Sequence, residues 1–213
     1  MNSSFTTTQI IAKEGWKVCG IAFMLFLLAV WANFAAFFMF VVLLFLLFVY
    51  RNPERIAAED DPLAILAPID GKITAIESVE KDGGKFLYVR IRSLPFDVSM
   101  VRSIISANLI NIKITHGLSL PPNKKEAQKL NEQLEMNCIF QNSQFSIRII
   151  AGVLARKIYF AKSKGFLKSC ERIAFVTDGI VELFLPFDSR IKLSMGDYVK
   201  GGESVIGYFA YKG

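Results

Sequence analysis

Apolar residues are distributed along this chain in two patterns. From Val18 to Tyr50, 33 residues pass without a charged side chain, well beyond the roughly 20 that carry one helix across a bilayer core. Two short helices account for that length better than one. The break belongs near Trp31-Ala32-Asn33, where a polar side chain interrupts the run and a tryptophan suits a lipid-water boundary. Lys13 and Lys17 precede the run and Arg51 and Arg55 follow it, so the preference of basic residues for the cytoplasmic side favours both ends there. A hairpin meets that condition and a single straight span does not. Each arm would hold about 15 residues, roughly 22 Å of helix, short enough to dip into the membrane rather than cross it fully. A single tilted span of about 25 residues is the alternative. A cleaved signal peptide fits less well, because the run is too long and lacks a small-residue cleavage site.

Beyond Pro62 the continuous run gives way to short alternating stretches: Lys72 to Ile76, Phe86 to Ile91, Leu109 to Ile114, Ser146 to Ile150, Ile173 to Val176 and Val181 to Leu185. Their lengths and period of two predict β-strands. Asp70-Gly71, Asp82-Gly83-Gly84, His116-Gly117, Lys164-Gly165 and Lys200-Gly201-Gly202 punctuate them as turns. One soluble helix is predicted, from Asn123 to Met136, on few apolar positions. No long helical crossovers separate the strands, and the turns recur closely. The expected fold class is therefore mainly β, a compact sandwich or flattened barrel preceded by an N-terminal hydrophobic helical hairpin. The expected organisation is a cytoplasmic segment over 1–17, a membrane hairpin over 18–50 and a β domain over 51–213.

Composition adds the setting. Of 213 residues, 53% are hydrophobic, and the mean hydropathy is +0.39, an excess that points to lipid. Cys19, Cys138 and Cys170 show neither paired spacing nor a metal pattern, which suits a reducing compartment. The net charge of +6 is carried partly by Arg156, Lys157, Lys162, Lys164, Lys168 and Arg172, against Glu171 alone in that stretch. Such a stretch is either a solvated strand edge or a contact with anionic headgroups, the latter worth on the order of 1 kcal/mol per basic residue near the surface. Nucleic acid is a poor partner, since no recognition helix or aromatic-basic module accompanies the charge. Glycine-rich phosphate loops, zinc spacings and serine-histidine pairs are likewise missing from the sequence.

Six motifs follow one another with a family-like spacing. They are Arg51-Asn52-Pro53-Glu54-Arg55, Ala67-Pro68-Ile69-Asp70-Gly71-Lys72-Ile73, Pro95-Phe96-Asp97-Val98, the stretch from Ala151 to Ile158, the stretch from Ala174 to Pro186, and Gly196 to Gly207. Together they resemble the short, membrane-anchored form of the phosphatidylserine decarboxylases over nearly the whole chain. The resemblance implies conversion of phosphatidylserine to phosphatidylethanolamine and CO₂, using a pyruvoyl group that the family makes by breaking its own backbone at a serine. Removing the carboxylate of an amino acid leaves a carbanion at Cα. That carbanion needs a conjugated acceptor reached through an imine, which no ordinary side chain supplies.

The resemblance also assigns positions, and several depart from the family's pattern. With Leu185-Pro186 aligned, Val181 to Phe184 takes the family's Val-Asp-Leu-Tyr, so Gly179 stands at the serine and Asp178 at the preceding glycine. A glycine offers no hydroxyl. The family's processing aspartate corresponds to Asp70 and its histidine to Ser99, which is no base at neutral pH. Phe96, Arg102 and Arg156 match substrate-pocket positions. Ser189, in Phe187-Asp188-Ser189-Arg190, mimics the cleavage string but lies ten residues past Gly179. His116, the sole histidine, reads as an exposed turn residue. The expectation is a relative at the inner or plasma membrane, its β domain in the cytoplasm, that neither self-cleaves nor decarboxylates and has no cofactor, neither pyruvoyl nor metal. It would bind membrane aminophospholipid, form a homo-oligomer or support a partner enzyme of phospholipid synthesis. An active decarboxylase with an unconventional processing site is the alternative.

Overall fold

In the computed structural model, which describes residues 10–33, 35–59, 61–81, 83–122, 125–155, 157–161 and 163–211, the apolar run folds into two packed helices. These are α1 (Lys13–Trp31) and α2 (Ala36–Val49), about 28 and 21 Å long at 1.5 Å per residue. Among the described residues, only α1 is long and apolar enough to cross a membrane. Asn33 and Ala35 both take left-handed backbone (φ 50° and 54°), which reverses the chain between the helices. Phe26 and Phe40 meet across the pair with ring centroids 5.7 Å apart. Outward-facing Leu25, Leu28, Phe37, Phe38 and Leu44 are left exposed, a surface that suits lipid rather than water.

At its open end the hairpin is clasped and docked. Ala12 N–H donates to the Tyr50 carbonyl at 2.9 Å, and Asn52 N–H to that of Ile10 at 2.8 Å. The Tyr50 ring stacks on Phe175, with centroids 5.7 Å apart and planes 7° from parallel. Ala12, Val98, Met100 and Phe175 form a small buried cluster beneath it.

The rest of the chain is β-rich, as the alternation predicts. In order come β1 (Ala64–Leu66), β2 (Gly71–Lys81), β3 (Gly84–Ser93), β4 (Met100–Arg102), β5 (Ala107–Thr115), the short α3 (Lys125–Leu130), β6 (Gln133–Phe140) and β7 (Ser143–Ala151). Then follow β8 (Tyr159–Phe160), β9 (Gly165–Leu167), β10 (Arg172–Phe175), β11 (Gly179–Pro186), β12 (Arg190–Ile191), β13 (Tyr198–Val199) and β14 (Val205–Tyr208). Eight strands make one sheet in the order β13-β2-β3-β11-β7-β6-β5-β9, and two three-stranded sheets, β1-β14-β12 and β4-β10-β8, accompany it. Ile73, Val89, Ile91, Leu134, Ile147 and Val181 belong to one buried core.

The helix expected from Asn123 to Met136 is corrected. Among the described residues helix covers only Lys125–Leu130, and Gln133–Phe140 is a strand paired with both β5 and β7. Leu134, Met136 and Cys138 are buried while Asn137 is exposed, a period of two that pairing partners on both sides make decisive. The turn expected at His116-Gly117 is also absent: the chain there leads into a parallel bridge between Leu118 and Asn131.

The outer face of the large sheet carries charges in register. Glu182 on β11 pairs with Arg90 on β3 and with Arg148 on β7, and Arg148 pairs in turn with Glu135 on β6. Glu182 Oε1 accepts from the Tyr88 hydroxyl at 2.6 Å and from Arg90 Nη2 at 2.9 Å, and Oε2 accepts from Arg148 Nη1 at 3.3 Å. Lys81 closes the row on Glu135 and lies over the Phe184 ring. Opposite charges directly across strands stabilise a sheet where like charges would split it.

Candidate functional site

The start of β11 is the centre of the candidate site. Gly179 pairs with Ser93 at the end of β3 and with Ala151 at the end of β7, so three strand ends lie side by side. Its neighbour Asp178 is buried and ion-paired to Arg92 Nη1 at 2.8 Å. The same nitrogen donates to the carbonyls of Gly179 (2.7 Å) and Ser93 (2.9 Å). From the other side Gly152 N–H donates to the Asp178 carbonyl at 2.8 Å. The peptide between Asp178 and Gly179 is therefore held on both of its flanks.

Space at Gly179 is as restricted as its chemistry. A Cβ added there would press into the Ile150 carbonyl oxygen and lie 3.3 Å from Val176 Cγ2, so a serine would require the β7 backbone to move. The Asp178 carboxylate likewise lies against Gly152, where a Cβ would overlap it. Ser99 is close by: its carbonyl accepts from Val176 N–H at 2.9 Å, three residues before Gly179. The Ser93 and Ser99 hydroxyls are both buried without a hydrogen-bond partner among the described residues. An unsatisfied buried hydroxyl costs about 1–3 kcal/mol.

Asp70 stands at the entry to β2. Lys72 and Ile180 both pair with Arg92, so Asp70 and Asp178 flank the end of β3 at two inter-strand spacings, about 10 Å. The Asp70 carboxylate accepts from Gly201 N–H at 2.7 Å and from Arg55 Nη2 at 3.0 Å, while Arg55 Nη1 reaches Glu203 at 2.7 Å. Burial raises the Asp70 pKa above its ordinary value of 3.8, and Gly201 and Arg55 only partly oppose it. The folded protein thus holds that proton more tightly than the unfolded chain. This contribution to stability is greatest below the ordinary value and is lost as pH rises through the folded one. Asp70→Asn should remove the slope, so that the variant gains in Tm relative to the parent chain as pH rises above the ordinary carboxylate value of 3.8. Parallel melting curves across that range would mean that Asp70 titrates normally.

The other expected positions are less unified. Phe96 is exposed, with its ring 6.4 Å from Phe45 of α2, so it faces the hairpin. Arg102 is buried and donates to the carbonyls of Pro53 (2.8 Å) and Cys170 (3.4 Å), which makes it a clamp on the segment after the hairpin. Arg156 lies outside the described residues. Ser189 follows the far end of β11, about 24 Å from Gly179 at the rise of a strand. His116 is solvent-exposed, 3.7 Å from Glu132.

Sequence reasoning missed Arg92, Gly152 and Arg55 as organisers of the site. The alternation Tyr88-x-Arg90-x-Arg92 places three polar side chains on one face of β3 and could have signalled the first. Arg55 was legible only as part of a motif and as a basic residue flanking the hairpin. It also lines a cleft of about 410 Å³ with Arg102, Lys168 and Arg172, opposed by Glu54 and Glu171.

Comparisons with known proteins bear on this geometry. The phosphatidylserine decarboxylase family matches residues 42–207. A phosphatidylserine decarboxylase proenzyme of Desulfotalea psychrophila is 31% identical, with 96% of this chain and 90% of that protein covered. Those of Symbiobacterium thermophilum and Geobacter sp. (strain M21) are each 29% identical, covering 93% and 94% of this chain. The expectation of no cofactor is corrected by these matches, because the relatives are pyruvoyl-dependent decarboxylases. The residues at 99 and 179 do not fit formation of that group at Gly179, which has neither a hydroxyl nor room for a Cβ. By the match over residues 42–207 and the identity to these relatives along most of its length, the chain belongs to the phosphatidylserine decarboxylase family.

Proposed function

We propose that this protein works in phospholipid metabolism as a membrane-held member of its family that binds an aminophospholipid and does not cleave itself before residue 179. In support of a cytoplasmic orientation for both ends of the hairpin, and for the β domain with them, Lys13, Lys17, Arg51 and Arg55 flank the apolar run. The observation that carries this reading is the pair of buried hydroxyls without a partner among the described residues, that of Ser93, which pairs with Gly179, and that of Ser99, whose carbonyl accepts from Val176 N–H. A site kept polar at a cost to folding is a site kept for a ligand. The cleft around Arg55 and Arg102, lined by four cations against the two carboxylates of Glu54 and Glu171, has a net positive charge suited to the lipid phosphate.

Ser93→Ala and Ser99→Ala test this. Each should leave the ligand-free protein as stable as the parent or more so, and each should weaken its retention on phosphatidylserine vesicles in detergent competition. Loss of stability with unchanged lipid retention would sink the reading. The intact protein should run as one band near 23.9 kDa.

An active decarboxylase with an unconventional processing site is the second reading, favoured by the decarboxylase proenzymes to which the chain is similar. It requires two fragments, a blocked N-terminus on the smaller one, and release of CO₂ from phosphatidylserine. The chain would act with a second copy of itself or with another enzyme of phospholipid synthesis under the first reading.

A further inference from the structure

We infer that two loops at the site end of the large sheet, Leu94–Phe96 and Val153–Leu154, penetrate the bilayer beside the helical hairpin, so that the candidate site opens at the headgroup layer. The inference rests on the membrane reading above but concerns a surface of the β domain. Because Ser93, Gly179 and Ala151 are in register, the chain leaving β3 and the chain leaving β7 emerge together. Leu94, Phe96, Val153 and Leu154 are 51%, 61%, 47% and 61% exposed. Single exposed apolar residues are ordinary on a protein surface, whereas four at one end of a sheet, with Phe96 among them packed on an apolar helix, mark an interface.

Depth follows from the contacts with α2. Phe96 packs edge-on against Phe45, which lies five residues before Tyr50 and so about 7.5 Å further along the helix, on the apolar side. Arg51 Nη2 donates to the Phe96 carbonyl at 2.8 Å, and the guanidinium lies 4.0 Å from the centre of the Phe48 ring. The loop backbone is thus level with a cation suited to the interface, and its ring extends beyond it among lipid-facing side chains. Half-exposed Tyr159 pairs with Phe175 beneath Tyr50, and Lys157 Nζ lies 5.8 Å from its ring centre. An aromatic with a cation beside it is the pairing expected at a headgroup layer.

The second loop is tied to the site itself. Thr177 Oγ1 donates to the Leu154 carbonyl at 2.9 Å, and Gly152 N–H to that of Asp178 at 2.8 Å. Seating these loops in lipid therefore sets the height of Asp178 and Gly179 above the bilayer.

Tryptophan quenching tests the inference in the full chain. Both native tryptophans are replaced (Trp16→Phe, Trp31→Phe), and one is introduced by Phe96→Trp, Leu154→Trp, Phe187→Trp at the far end of β11, or Phe23→Trp within α1. Each protein is reconstituted into phosphatidylethanolamine-phosphatidylglycerol vesicles containing lipids brominated along the acyl chain. Fluorescence should be lost at positions 96, 154 and 23 and retained at 187. If position 23 is quenched while 96 and 154 behave like 187, the loops do not enter lipid and the inference fails, although the membrane reading stands. If position 23 is not quenched either, both fail. Unquenched loops that crosslink between two copies would instead make this face an interface between protomers and would also overturn it.

Discussion

Glu182→Ala should lower folding stability by about 3–5 kcal/mol, the range for removing one partner of a buried ion pair. The carboxylate is 3% exposed and gathers three donors, Tyr88, Arg90 and Arg148, from the strands on either side of β11. Alanine leaves the Arg90 guanidinium and the Tyr88 phenol without this anion, and Arg148 with only its longer 3.9 Å pair to Glu135. Both arginine side chains are about a quarter exposed, so water recovers part of the loss and the lower end of the range is expected. Burial, and then the hydrogen bond to Glu182, raise the Tyr88 pKa well above its ordinary value. Its hydroxyl therefore stays a donor at any physiological pH. Glu182→Gln, which keeps the shape and one acceptor oxygen, should cost less. Urea unfolding of the full chain in detergent measures both variants, and a loss below about 1 kcal/mol for alanine would show that the pairs behave as ordinary surface ion pairs.

Ser99→His, Asp178→Gly and Gly179→Ser, combined, should turn a single chain into two fragments divided before residue 179. The triple variant restores a base, a flexible residue and a hydroxyl where the family has them, in a scaffold that already holds the Asp178 carbonyl through Gly152. Removing the Asp178 carboxylate frees space against Gly152 and breaks its ion pair with Arg92, whose contacts with the Ser93 and Gly179 carbonyls persist. Gly179→Ser alone should not cleave, because Ser99 cannot act as a base. It should also destabilise by about 1–3 kcal/mol, the usual penalty for forcing extra atoms into a packed interior, because Ile150 must yield. Gel electrophoresis and mass spectrometry give the answer. A folded triple variant that stays whole would mean that the strand ends around Gly179 have moved away from a cleaving geometry, beyond the changes at these three residues.

The helical hairpin and the alternating strands were legible because each depends on local periodicity. Thirty-three uncharged residues can satisfy their backbone in lipid only as helix, and β3 and β7 alternate apolar and polar positions over most of their length, whereas β11 reads as a largely apolar run buried from Gly179 to Leu185. The segment from Gln133 to Phe140 was not legible. Its alternation is short, its charges suit a helix equally well, and only the neighbouring β5 and β7 decide the matter. Short strands such as β4, β8 and β12 were also missed, since two or three residues carry no period.

By itself the sequence determined which groups are available: a glycine where a hydroxyl would be needed, a serine where a base would be needed, and a single histidine outside both motifs. Those are properties of covalent structure, and folding does not alter them. Tertiary structure alone decided that Arg92 grips the peptide at Gly179, that Arg55 joins Asp70 to Glu203, and that Phe96 lies against Phe45. Each of these contacts joins residues separated by 15 to 148 positions. No local pattern records such a contact, because sheet register and hairpin docking, not spacing along the chain, bring its partners together.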